Sequence, residues 1–205
     1  MPPLQAAMLD IQGLANAIVR PVWLQVAAGQ CAAISGPSGS GKSLLLRMIA
    51  DLDPHTGTVT LGGAGCAAMS GPAWRSQVVY AAAESGWWAD RVSEHFPAAV
   101  MDLAKSYAAR LALDPAIFER AVAALSTGER QRLGLIRALA AKPKVLLLDE
   151  PASALDPEST SLAEALLLEQ KHAGAILILV THDADQADRL GDRLYTMQQG
   201  MLEPR

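Results

Sequence analysis

GPSGSGKS, from Gly36 to Ser43, is the stretch on which the reading of this chain turns. It fits GxxxxGK[ST], the loop whose backbone cradles the phosphates of a nucleoside triphosphate. Glycines at 36, 39 and 41 let the main chain make turns closed to other residues and bring its N–H groups close to a polyphosphate. Lys42 is placed to reach the β and γ oxygens, and the Ser43 hydroxyl to ligate Mg2+. Upstream, CAAIS (Cys31 to Ser35) reads as a buried strand; downstream, LLLRMIADL (Leu44 to Leu52) has helical character without Gly or Pro. Strand, loop and helix are the setting this loop requires. A helix starting near Ser40 aims its unpaired N–H groups and the positive end of its dipole at the same phosphates. The candidate cradle is thus Gly36, Ser38, Gly39, Ser40, Gly41, Lys42, Ser43 and Leu44.

VLLLDE, Val145 to Glu150, is an apolar run ending in two carboxylates. Such a run suits a central strand of a parallel sheet, buried on both faces. Asp149 at its C-terminal end is expected beside the phosphate loop as a second magnesium ligand, and Glu150 as the group that polarises the attacking water. The bland reading is a strand capped by two surface acids. Glu150 favours hydrolysis over mere binding.

LSTGERQR, Leu125 to Arg132, stands before the helical stretch LGLIRALAA (Leu133 to Ala141) and resembles the LSGGQ signature of ABC-type ATPases. Pro151 after the acidic pair, SALD (Ser153 to Asp156) at the D-loop position and VTHD (Val180 to Asp183) with the switch histidine, His182, follow in that family's order and spacing. The resemblance runs from about Leu9 to Leu202. It implies an α/β fold: a P-loop NTPase core with a largely parallel sheet, an antiparallel β subdomain and a small helical subdomain at about 93–124. All of it is expected within one nucleotide-binding domain, 1–205. It also implies ATP and Mg2+ as cofactors, and two subunits packed head to tail, as a homodimer or with a similar subunit. Ser126, Gly128 and Glu129 of one copy would then close on the triphosphate held by the other. Ser126 with Glu129 three residues later equally fits a capping box, and both readings can hold. His182 would sense the γ-phosphate or hold the water or Glu150; alone, it reads as a hydrogen-bonded residue at the end of the strand AILILV (Ala175 to Val180). Asp183 either orients its ring or caps the helix beginning near Ala184.

Two positions depart from the family pattern. No aromatic precedes Arg20 to stack on adenine; Trp23 is the one candidate, and its place in an alternating strand with Val22, Leu24 and Val26 is read as core packing. At the end of VVYAAA (Val78 to Ala83) the family's Q-loop glutamine is replaced by Ala83. Glu84 follows and is proposed to supply the missing magnesium ligand, although a shift of one residue turns a strand side chain to the other face.

With 205 residues, a single α/β core burying roughly 70% of the unfolded chain's surface is expected. The net charge of −4 and the lack of a Lys/Arg run argue against a nucleic-acid partner. Cys31 and Cys66 read as reduced packing residues. No apolar run approaches the roughly 18 to 20 residues that span a bilayer. A transport role therefore places the pathway in permease subunits on separate chains, and this chain in the cytoplasm, peripheral on the inner face of the membrane. The Trp87–Trp88 pair is either an interface feature or packed within the helical segment. Two other functions stay open: a soluble ABC-type ATPase outside transport, and a nucleotide-gated binding module with weak turnover.

Overall fold

The computed structural model describes residues 8–205, so the first seven positions of the expected 1–205 domain lie outside the described residues. In chain order the elements are β1 (Met8–Ala15), β2 (Val22–Ala27), β3 (Cys31–Ser35), α1 (Lys42–Ile49), β4 (Thr56–Leu61), β5 (Ala64–Gly65), α2 (Gly71–Arg75) and β6 (Val78–Ala81). They continue with α3 (Met101–Arg110), α4 (Thr127–Ala140), β7 (Val145–Asp149), α5 (Pro157–His172), β8 (Ile176–Val180), α6 (Ala184–Leu190), β9 (Arg193–Gln198) and β10 (Met201–Pro204). None of the described helices is long and apolar enough to cross a membrane.

The apolar runs form the middle of a six-stranded sheet ordered β10-β9-β3-β8-β7-β6. Its strands pair in parallel except for the β9–β10 hairpin at one edge. Side chains alternate across a strand, so β7 sends Leu146 and Leu148 to one core and Val145 and Leu147 to the other. β8 divides the same way, with Leu177 and Leu179 opposite Ile176, Ile178 and Val180. The first core is completed by α3, α4, α5 and α6. The second holds α1, through Leu45, Leu46, Met48 and Ile49, against an antiparallel sheet ordered β2-β1-β4-β5. The phosphate-loop helix is therefore fixed between two sheets, which gives the loop ahead of it a rigid base.

One expectation needs correction. Trp23 is not a core residue: it is 69% exposed, on the outer face of β2. Alternation itself decides this, because Val22, Leu24 and Val26 take the inner face. The segment 93–124 is helical in short pieces: one α-helix, α3, stands with the 3-10 turns Val92–His95, Ala98–Val100, Pro115–Glu119 and Val122–Ala124. Pro97 and Pro115, which cannot donate a helical hydrogen bond, interrupt what the apolar spacing alone would join.

Candidate functional site

β3 runs into the loop from Gly36 to Gly41, and the loop lies against β9. A Cβ on Gly36, whose φ is 143°, would come 2.1 Å from the Met197 carbonyl oxygen, so no other residue fits there. Gly41 caps α1 with φ 107° and no side chain bonded to the helix tip, which is why α1 begins at Lys42 rather than near Ser40. The first N–H groups of α1 consequently face the loop uncapped, an anion site in the backbone itself. Lys42 Nζ donates to the carbonyls of Gly36 at 2.8 Å and Pro37 at 2.9 Å, using two of its three donors and leaving one for a ligand. Among the described residues the buried Ser40 Oγ has no hydrogen-bond partner. Nothing lies within 4 Å of the Cβ position at Gly39. An uncapped helix tip, a spare ammonium donor, an orphaned hydroxyl and an open backbone fit a triphosphate.

A cleft of about 500 Å³ brings Ser38, Gly39, Gly41, Lys42, Ser43 and Leu44 together with Asp149 and Glu150. Gly36 and Ser40 are not in its wall and shape the loop from behind. Ile18 and Ala83 also line the cleft. Ile18, exposed and apolar, is the side chain found there in the absence of the expected aromatic; Trp23 belongs to a different surface, beside Gln12 and Arg193.

Asp149 ends β7, buried, and its Oδ2 accepts a hydrogen bond from the Tyr80 hydroxyl at 2.8 Å. Burial, and then Asp149, push the Tyr80 phenol well above its ordinary pKa, so it stays a proton donor. The sequence reading passed over Tyr80. The signal was there: a hydroxyl inside the apolar strand VVYAAA needs a partner, and β6 pairs with β7. Glu150 leaves the sheet with φ 50°, its N–H bonded to the Val180 carbonyl at 2.9 Å. Its Oε2 accepts from His182 Nδ1 at 2.7 Å and from the His182 backbone N–H at 3.3 Å. The two residues expected to work together are thus in direct contact. Asp183 caps α6, accepting from the N–H groups of Asp185 and Gln186, which favours the cap over the ring-orienting reading.

Ser126 caps the start of α4 with the capping box the sequence allows. Ser126 Oγ accepts from Glu129 N at 3.2 Å, and Glu129 Oε2 accepts from Ser126 N at 2.7 Å. That backbone bond first, together with Arg120 at 2.6 Å, holds the Glu129 carboxyl below the usual range. Gly128 packs close: a Cβ there would sit 3.1 Å from the Ala154 carbonyl oxygen. A residue not singled out from sequence, the buried Gln131, ties this helix to the 150–154 segment. Its Nε2 donates to the Glu150 carbonyl at 2.8 Å and to Ser153 Oγ at 3.0 Å, and its Oε1 accepts from Ala154 N at 2.8 Å.

Glu84 is not brought to Ser43 and Asp149. β6 ends at Ala81, before either Ala83 or Glu84, and it is Ala83 that lines the phosphate cleft. Glu84 lines a neighbouring cavity with Trp87, Thr127, Arg130 and Ser153, and Ala83 borders both. The adjacent segment is pinned to α4 by a glycine: a Cβ on Gly134 would meet Ser85 Oγ at 1.9 Å. Trp87 and Trp88 divide the two readings made of them. Trp87 packs against the first core, whereas Trp88 is 70% exposed, and the Arg137 guanidinium lies about 5 Å over both rings, at 5.0 and 4.9 Å.

Residues 19–153 match the family model described as ABC transporter. The chain is 37% identical over 207 residues to an aliphatic sulfonates import ATP-binding protein of Agrobacterium fabrum, covering 96% of this chain and 78% of that one. It is 34% identical to a phosphonates import ATP-binding protein of Hyphomonas neptunium, with 86% and 76% covered. With an Fe(3+) ions import ATP-binding protein of Rhodococcus jostii the identity is 37%, over 90% of this chain but 56% of the relative. Among solved structures, a bacterial Atm1-family ABC exporter with ATP bound superposes with a TM-score of 0.83 at 22% identity, over 98% of this chain and 39% of that chain, a likeness of fold.

Proposed function

This chain belongs to the ABC transporter family as an ATP-binding subunit, and from that premise we propose how its residues divide the work of hydrolysing ATP. The observation that carries the reading is the single cleft holding the α1 tip, Lys42, Ser43, Asp149 and Glu150. Backbone N–H groups and Lys42 take the β and γ phosphates. Ser43 and Asp149 would hold Mg2+, which supplies charge neutralisation between those phosphates. Glu150 accepts a proton from water as the water oxygen bonds the γ phosphorus and the bond to the bridging oxygen breaks, releasing ADP. His182, donating from Nδ1, keeps the carboxylate aimed. Glu84 is set aside as a magnesium ligand, because its cavity is not the phosphate cleft.

Hydrolysis in this reading needs a second copy, or a similar subunit, to bring Ser126 and Gly128 to the γ-phosphate. The relatives' names support an import system with permease subunits on separate chains, and so a place on the inner face of the membrane. The exposed Trp88 with Arg137, beside the Q-loop position, is the proposed contact with those subunits. The test is Glu150→Gln, which keeps an oxygen for His182 but removes the base. Phosphate release should fall at least ~100-fold, while ATP binding persists and the protein becomes dimeric with ATP. A monomer with ATP bound, or turnover within a few fold of the unaltered protein, would overturn the reading.

A further inference from the structure

The end of α1 opposite the phosphate loop holds a second group of chemically reactive side chains. One carboxylate oxygen of Asp51, a ring nitrogen of His55 and the sulfur of Cys66 all lie within 4.8 Å of one another. They converge from three places. Asp51 follows the cap of α1 at φ 55°, where Asp51 N bonds the Met48 carbonyl and Leu52 N the Arg47 carbonyl, a closed helix terminus that fixes its position. His55 immediately precedes β4, and Cys66 follows β5.

Each group is held in place by its surroundings. His55 Nδ1 lies 3.3 Å from the Thr56 carbonyl oxygen, which leaves Nε2 as the free ring nitrogen, 3.9 Å from Asp51 Oδ1. Arg75 donates to the Asp51 backbone carbonyl at 2.9 Å and stands 3.9 Å from Oδ2, anchoring the carboxylate from behind. Cys66 is only 7% exposed. This is not a nucleophile relay: that would need the acid and the thiol on opposite ring nitrogens, whereas a single ring nitrogen of His55 lies within 4.8 Å of both groups.

We infer that Asp51, His55 and Cys66 form a binding site for a thiophilic divalent transition metal of the Zn2+ class, joining the far end of the phosphate-loop helix to the antiparallel sheet. One thiolate, one imidazole and one carboxylate match Zn2+, with water in the fourth tetrahedral position; Mg2+ and Ca2+ take oxygen ligands. Ligand atoms around tetrahedral Zn2+ stand roughly 3.3 to 3.6 Å apart, so side-chain rotations of about 1 Å close the site. Binding forms the metal–sulfur bond and releases the thiol proton to solvent. Burial first, then the nearby Asp51 charge, raise the Cys66 pKa, so in the absence of metal the group rests as an unreactive thiol.

The test uses the full chain, stripped with chelator and titrated with Co2+ in excess Mg2+, which occupies oxygen-only sites. One equivalent should bind with a thiolate-to-cobalt charge-transfer absorption, and Zn2+ should displace it. Cys66→Ala should abolish the absorption and Cys31→Ser should keep it. His55→Gln and Asp51→Asn should each weaken binding at least ~10-fold. Absence of the band, its survival in Cys66→Ala, or unchanged affinity in both His55→Gln and Asp51→Asn would overturn the site. Those two variants alter partly exposed side chains, so they decide the matter even if Cys66→Ala fails to fold.

Discussion

Two helix tips, α1 of one copy and α4 of its neighbour, are proposed to share one triphosphate, and they begin in opposite ways. α1 starts after Gly41, in a left-handed turn, with no side-chain cap and no acid in its first turn. α4 starts after Ser126, in extended backbone, with a reciprocal box that places the Glu129 carboxylate at its tip. A carboxylate at a helix N-terminus satisfies the dipole and the free N–H groups from within. An external anion at α1 therefore meets unsatisfied donors, whereas at α4 it meets a cap already closed and a like charge. Arg120 beside Glu129 offsets that charge. The α1 tip thus offers unsatisfied donors in the single chain, while the α4 tip is first a structural cap. What remains there for a neighbour's phosphate is the Ser126 hydroxyl, whose oxygen already accepts from Glu129 N, and the Gly128 N–H.

The comparison breaks most visibly at Lys42. Lys42→Ala should weaken ATP binding by at least ~100-fold, since it removes a charge-assisted contact from a buried phosphate site. Equilibrium binding of a fluorescent ATP analogue measures it; tight binding by this variant would mean the α1 tip is not the main anion site. A smaller effect is expected at Tyr80. Tyr80→Phe deletes the hydrogen bond that fixes Asp149 but no group proposed to touch ATP. The Mg2+ concentration for half-maximal turnover should rise roughly tenfold, with maximal turnover at saturating Mg2+ within a few fold. Loss of maximal turnover with an unchanged Mg2+ requirement would assign Tyr80 a purely structural part.

What was legible in the sequence follows from this contrast. GPSGSGKS and VLLLDE were readable because each residue acts through backbone geometry or through its place at a strand end, both of which are local. The parallel sheet followed from strands that are apolar throughout, and the antiparallel subdomain from the family resemblance. Trp23 was assigned to the core along with its strand, although the period that buries Val22, Leu24 and Val26 must expose it. Glu84 was misplaced because the end of β6 at Ala81 depends on packing against α4, where Gly134 admits Ser85, and no local pattern reports that contact. Gln131 was invisible for the same reason, its partners in the 150–154 segment being distant in the chain; Tyr80 signalled that its hydroxyl needs a partner, but not that the partner is Asp149.

The smallest effect is also the most specific to α4. Glu129 carries a carboxyl whose folded pKa lies below its ordinary value of 4.5, chiefly through the Ser126 N–H and then Arg120. A depressed carboxyl stabilises the fold above 4.5 and loses that contribution as pH falls through its folded value, because only the ionised form gains from these partners. Glu129→Gln can still accept from the Ser126 N–H but neither ionises nor titrates. The unaltered protein should therefore exceed Glu129→Gln in unfolding free energy by ~0.5 to 1 kcal/mol at neutral pH, and the gap should close in the acid range below 4.5. Urea unfolding of both proteins across that range measures the gap, and subtracting one curve from the other removes the groups they share. A gap that persists when Glu129 is protonated would show that the cap works by shape alone, and that the charge contrast between the two helix tips has no energetic consequence.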